Sequence, residues 1–348
     1  MVESKHQWKA WLYLAPAIVL LLVFTVWPII NTVSMAFQNG YNALAAKRGA
    51  EFAIGIQNFI DVINYGGFLK NLGNTMLLCV ATVPLSTILA LLIAVALNSI
   101  KPLQKFLQTI FFLPYVTNSI AIGMVFAAMF NIIGLRGGTG AAVPEGVVTY
   151  ESGIIYNFLT ALGLDGSGII GLRSGQFADT WGIVNNVLMF FGLEPINWVN
   201  YGSSYIANIV VMTVYIVWNA LPFKILILLG GLQSINKQYY DAARVDGTPR
   251  RRVLTKITVP LLSPMLAYVV ITGFIGGFKE YSSIIGIFGE DMGPKNAAGR
   301  LNTMVGFVYD ALETSSQGKA SAAALILFAI ILVVTMINLR VSKKRVHY

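Results

Sequence analysis

Long apolar stretches separated by short polar segments recur along the chain, and their lengths predict its organisation. Apolar windows fall at about 11–37, 71–97, 106–131, 205–231, 261–288 and 320–339. Each carries little charge and runs to about 20 residues or more, the length of helix that crosses about 30 Å of hydrocarbon. The pattern predicts an all-α, polytopic transmembrane helical bundle of six spans, organised as a single membrane domain over 1–348. The first window follows Lys5, His6 and Lys9 and so has the basic front of a signal peptide. Its apolar run from Trp11 to Ile30 is too long for one, contains Pro16 and Pro28, and ends without a small-residue cleavage site. A retained signal-anchor span is expected instead.

Between the third and fourth windows lies a long polar-to-apolar segment, 132–204. It opens on the glycine-rich Gly134 to Gly140 run and then carries apolar, aromatic patches around Ile154–Leu164 and Trp181–Leu193. Short amphipathic helices at a membrane surface fit those patches.

Composition agrees with a lipid solvent. The 348 residues are 56% hydrophobic and 11% charged, with a mean hydropathy of +0.70. A soluble domain carries about 25% charge. Cys79 is the only cysteine and lies in an apolar run, which excludes a disulfide framework or a cysteine metal cluster. His6 and His347, the two histidines, sit at opposite ends, so no His/Cys metal site is expected.

The net charge of +9 matters for where it sits. With a cytoplasmic N-terminus, the inner segments are 1–10, 98–105, 232–260 and 340–348. They hold 14 Lys and Arg in 56 positions, against 8 in 137 for 38–70, 132–204 and 289–319. That bias puts both termini in the cytoplasm. The inner bases face only Glu3, Asp241 and Asp246, a balance suited to anionic lipid headgroups. No basic groove interleaved with aromatics is present, so nucleic acid is not an expected partner.

The inner loop 232–260 differs in kind. Asn236 can cap a helix through Tyr240, Ala242, Ala243 and Val245; Asp246-Gly247 ends it, and Pro249 follows. Glycine supplies the positive φ that a sharp exit needs. Two to three turns held parallel to the membrane are expected, with small alanines where another protein surface can approach.

This segment resembles the cytoplasmic signature of binding-protein-dependent ABC permeases, E-A-A-x3-G-x9-I-x-L-P. Asp241, Ala242, Ala243, Gly247, Ile257 and Pro260 fall in register without gaps, with Asp241 in place of Glu and Val259 in place of Leu. Asn74-Thr75, Phe112-Leu113-Pro114, Gly231-Leu232-Gln233 and Gly318 to Ala324 are similar to the carbohydrate branch, the maltose- and glycerol-phosphate-type permeases. About Gly137 to Ala178 has no counterpart and looks like an insertion, for which docking of the binding protein is one role.

The resemblance implies a type I ABC importer permease in the inner membrane of a bacterium, a transport subunit rather than an enzyme. It implies a second, similar permease subunit, two ATPase subunits and an extracytoplasmic solute-binding protein as partners. ATP and Mg would be bound by the ATPases, leaving this chain without a cofactor of its own. It also implies a coupling role for Tyr240, Asp241, Ala242, Ala243, Asp246, Gly247 and Pro260. Asp241 would pair with a basic residue of the ATPase, and the alanines would permit close packing.

Charge inside a span costs at least about 2.5 kcal/mol per residue at a helix centre and so marks a pathway or a pair. Lys279-Glu280-Tyr281 lies in the fifth window, and Asn219 and Lys224 in the fourth. Hydrogen bonding of Asn219, Lys279, Glu280 and Tyr281 to a solute's hydroxyls is one reading. Pairing of Lys279 or Glu280 with a neighbouring subunit is the other, and Lys224 is expected to snorkel towards the cytoplasm. Gly273 and Gly277 form a G-x-x-x-G pair suited to close helix packing.

Gly318-Lys319-Ala320-Ser321 is not a phosphate loop, since Glu313 replaces the first glycine and Ala320 the magnesium-binding hydroxyl. A secondary transporter would show repeated halves, of which there is no convincing sign, and an intramembrane enzyme would need a polar cluster at depth. Sugar-like and non-sugar solutes both remain open at this point.

Overall fold

The computed structural model describes residues 7–100, 104–137, 154–172 and 176–345. His6, His347 and parts of the outer insertion (138–153 and 173–175) lie outside them. Contacts divide the chain into two compact units, Met1–Leu69 with Met304–Ile330, and Lys70–Thr303 with Ile331–Tyr348.

Four helices are long and apolar enough to cross a membrane: Trp11–Phe37, Phe68–Ser99, Tyr205–Ser234 and Gln317–Lys343. They coincide with the first, second, fourth and sixth windows. A bent pair, Arg250–Leu261 and Ser263–Gly277, raises the number to five if taken as one span. The other two windows are not the continuous helices expected. The third divides into Gln104–Val116 and Ser119–Phe130 because Asn118 accepts the Ile120 and Ala121 N–H groups at 2.9 and 3.3 Å. A side chain that satisfies the orphan donors of a helix start also fixes a boundary there. The pieces, about 18–20 Å long, are each shorter than the hydrocarbon layer.

The fifth window breaks twice. Arg250–Leu261 and Ser263–Gly277 meet at 70°, and Pro264 stands at the start of the second helix, where its ring forbids continuation of the first. The second break, at Phe278–Tyr281, is followed by the helix Ser282–Phe288. The all-α expectation needs one further correction. Ile132–Ile133 pairs antiparallel with Thr180–Trp181, and Arg136–Gly137 with Gln176–Phe177. These β-branched and aromatic residues bring the two ends of the insertion together as a ribbon.

In the first unit, the buried Asn58 organises the chain after the first span. Its amide donates to the carbonyls of Ala36 and Gln38 at 3.0 and 2.7 Å, and its oxygen accepts Gly40 N–H at 3.1 Å. Gly318 must lack a side chain, since a Cβ there would lie 2.8 Å from Asn58 Nδ2. Lys319, part of the false phosphate loop, pairs with Asp61 at 3.0 Å.

In the second unit, Leu78, Phe126, Met212, Tyr215 and Ile284 form one buried cluster, and Ala90, Leu228, Leu262 and Val269 belong to another. Ser119–Phe130 and Ser282–Phe288 meet backbone to backbone. A Cβ on Gly123 would fall 2.6 Å from the Gly286 Cα. Gly273 and Gly277 likewise lie against Val83 and Cys79 of Phe68–Ser99, the packing role expected for that pair. The outer segment is folded, with helices Ile154–Ala161 and Ile183–Phe190 where the apolar patches are. Buried Glu194 accepts the Ile155 and Tyr156 N–H groups, and buried Asn185 holds the Ile196 backbone and the Trp198 indole.

Candidate functional site

The loop 232–260 contains a short helix, Lys237–Val245, closed at both ends by its own residues. Asn236 Oδ1 accepts the Gln238 N–H at 3.0 Å. At the other end Gly247 adopts φ +62°, its N–H donates to Arg244 C=O at 3.1 Å, and Thr248 N–H donates to Ala243 C=O at 2.9 Å. This paired closure around a left-handed glycine satisfies carbonyls that the helix end would otherwise leave free.

The helix turns one side inward and one outward. Ala243 is buried, and half-buried Tyr240 brings its hydroxyl to 3.3 Å from Thr258 Oγ1. Gln238, Asp241, Ala242 and Val245 share the outer side at helical spacing. Val245 is 88% exposed, an apolar side chain with no cover. Of the two alanines expected to admit a partner, only Ala242 lies on this face. Asp241 and Arg244 are exposed and stand 3.8 Å apart, a loose surface pair that leaves both free to exchange partners. Asp246 and Gly247 are exposed beside them, while Pro260 is half-buried in the Arg250–Leu261 helix.

The second group of expected residues lies at the helix break. Glu280 Oε1 accepts the Ser283 N–H at 3.3 Å, capping Ser282–Phe288, and the Glu280 carbonyl accepts the Thr303 hydroxyl at 3.0 Å. The carboxylate already has a task, whereas Lys279 is exposed and neither its side chain nor that of half-buried Asn219 makes a hydrogen bond among the described residues. Tyr281 is half-buried against the Tyr215 cluster. Irregular backbone at membrane depth is tolerated where it is buried in protein or lines a water-filled cavity. No hydrogen bond joins Asn219 to the 279–280 pair among the described residues.

Lys224 corrects the expectation of snorkelling. It is 4% exposed, and its ammonium donates to Val83 C=O, Ser86 Oγ and Thr87 Oγ1 at 3.2, 2.7 and 2.9 Å. Both hydroxyls spend their own protons on carbonyls of their helix, Thr82 at 2.6 Å and Val83 at 2.7 Å, so their lone pairs face the lysine. Three donors meet three acceptors. No carboxylate pairs with the ammonium among the described residues. The group ties Phe68–Ser99 to Tyr205–Ser234 and has no proton left for a solute.

Residues 86–347 match the family of binding-protein-dependent transport system inner membrane components. The chain belongs to that family. It is therefore a multi-pass membrane protein and a transport component. It is 25% identical over 331 residues to the lactose transport system permease protein LacF of Rhizobium radiobacter, covering 95% of this chain and 91% of that one. The trehalose/maltose transport system permease protein MalF of Thermococcus litoralis is also 25% identical, over 96% of this chain and 94% of its own length. A solved bacterial ABC transporter involved in import of the acidic polysaccharide alginate superposes with a TM-score of 0.72 at 19% identity, over 98% of this chain and 96% of that chain. The fold is shared with that structure.

Within this transport component, sequence reasoning missed the tie between Asn74, Tyr205 and the 300–302 loop. Asn74 donates to the carbonyls of Arg300 and Asn302 at 3.0 and 2.8 Å and accepts from the Tyr205 hydroxyl at 2.8 Å. Asn74-Thr75 had signalled the family, but nothing local shows which distant backbone an amide will meet.

Proposed function

We propose that the chain is a permease subunit of an ATP-driven ABC importer and forms half of the path for a sugar-like solute. An extracytoplasmic binding protein delivers the solute, and a second, similar permease completes the path. Two ATPase subunits, which bind ATP and Mg, grip the Lys237–Val245 helix from the cytoplasm. Six membrane passes with both termini inside accommodate this arrangement, the third and fifth being built from broken helices. Relatives named for lactose and trehalose/maltose transport support the solute class.

One observation carries the proposal: an exposed helix, closed at both ends, presents the signature residues Asp241 and Ala242 on its open face, with the uncovered Val245 beside them. A lever needs that rigidity, because a fraying end would absorb the motion of the ATPase rather than pass it on. The opposite side, through Ala243 and Tyr240–Thr258, is fastened to the transporter body.

Single-cysteine chemistry tests it cleanly, since Cys79 is buried and is the only native thiol. Val245→Cys is expected to cross-link to an ATPase subunit in native membranes, and uptake is expected to be vanadate-sensitive. Asp241→Arg should lower uptake by at least ten-fold while the permease remains in the membrane at normal abundance. Labelling of Val245→Cys from outside the cell, or uptake driven by an ion gradient alone, sinks the proposal.

A further inference from the structure

A cavity of about 1230 Å³ lies within the second unit and is lined by none of the residues assigned so far. Its walls come from four places: the end of Ser119–Phe130 with Asn131, the insertion at Gly168–Leu172, the 199–202 turn and the 293–295 loop. Met124, Ala127, Ala128, Ile287 and Phe288 form an apolar floor where the two glycine-packed helices end.

The polar side chains on the walls are amides, a phenol and an ammonium, with no carboxylate among the described residues. Asn131 Oδ1 accepts the Ile132 N–H and the Asn200 amide, which holds the side chain in place and leaves Asn131 Nδ2 without a partner among the described residues. Tyr201 is 72% exposed, and among the described residues its hydroxyl has no hydrogen bond and the Lys295 ammonium no counter-ion. A fixed amide donor on Asn131 and an exposed phenol on Tyr201, which match sugar hydroxyls, together with apolar and aromatic surface for the C–H faces of pyranose rings, supply the chemistry of saccharide recognition. The volume exceeds the about 300–1,000 Å³ of an ordinary small-molecule pocket, more room than one sugar ring fills.

We propose that this cavity is an extracytoplasmic saccharide site that holds an oligosaccharide of several units before it enters the membrane path. The inference rests on the importer reading for its orientation and adds the solute's length. A docking groove for a segment of the binding protein is the competing use. Apolar floor aside, the free groups here are hydroxyl-matching donors presented at the mouth rather than a backbone edge or a hydrophobic slot.

The test uses the assembled transporter in right-side-out membrane vesicles, with Ala128→Cys, Tyr201→Cys and, as a control, Phe190→Cys. Phe190 is 84% exposed in the outer segment and does not line the cavity. The probes are size-fractionated hydrolysates of a neutral polysaccharide and of a polyuronate. Fractions of several units should slow maleimide labelling at Ala128→Cys and Tyr201→Cys by about ten-fold, the equivalent of about 1.4 kcal/mol, and monosaccharides should not. Phe190→Cys should react at the same rate throughout. Ala128→Trp, which fills the floor, should depress uptake of long saccharides about ten-fold relative to short ones on the same preparation. Absence of protection by every fraction, protection equal at Phe190→Cys, or protection only by purified binding protein overturns the inference. Vanadate-sensitive uptake by the unsubstituted transporter would persist in each of those cases, so failure here is separable from failure of the importer reading.

Discussion

The Lys237–Val245 helix and the Lys224 tie are both polar devices in an apolar chain, yet they are built by opposite means. In the helix every bond that closes its ends runs between residues at most five positions apart, from Asn236 to Gln238 and from Thr248 to Ala243. In the tie the partners are 137 to 141 positions apart on two long helices. Local closure yields a rigid piece that can be exposed and gripped. Distant closure yields a knot, whose value lies in fixing two spans against each other. A buried ammonium pays for its desolvation only while all its acceptors are present.

That contrast can be broken most forcefully at the knot. Ser86→Ala with Thr87→Val leaves Lys224 a single carbonyl partner and should cost about 3 kcal/mol, the upper range for a buried donor stripped of its acceptors. The loss should appear as a lowered unfolding midpoint in detergent. In a Lys224→Met background the same pair should be almost silent. Equal losses in both backgrounds would mean that the hydroxyls act alone.

At the helix, Gly247→Val forces a β-branched residue into φ +62° and should cost about 1–2 kcal/mol. Because the closure is local, the global midpoint should barely move. Amide exchange over 243–248 should quicken instead, with a parallel fall in ATP-coupled uptake. A lowered global midpoint would show the helix to be part of the fold's core.

The smallest effect is expected at the Asp61–Lys319 pair of the first unit. The Gln57 amide, then Lys319, holds the Asp61 carboxyl below its ordinary 3.8. A lowered folded value means stabilisation that is complete above that ordinary value and fades as pH falls through the lower one. Lys319→Gln should therefore lower neutral-pH stability slightly, since the pair is partly exposed, and make no difference once pH has fallen below the depressed Asp61 value. Acid titration of the unfolding midpoint measures it.

Several features were legible because their causes are local. Asn236, Asp246-Gly247 and Pro249 announce the inner helix, and the structure builds it from those residues. The windows at 11–37, 71–97, 205–231 and 320–339 each mark a helix because a long uncharged run has few other ways to satisfy its backbone in lipid. The third and fifth windows were misread as continuous because hydropathy averages over single residues. Asn118, Pro264 and the Glu280 cap each end a helix without changing the mean. Glu280 drew attention as a charge at depth, but whether a carboxylate meets a solute or a helix end depends on the backbone beside it. Lys224 was misjudged for the same reason, since snorkelling is the default only for a lysine without acceptors within reach.

What the amino-acid sequence determined alone was the solvent, the long helices and the shape of the inner helix, all set by interactions among near neighbours. Which buried amide, hydroxyl or ammonium found a partner, and that residues 168–172 wall a roomy cavity, was decided by the tertiary structure. Those outcomes depend on hydrogen bonds and close packing between residues far apart in the chain, and no periodicity records such distances.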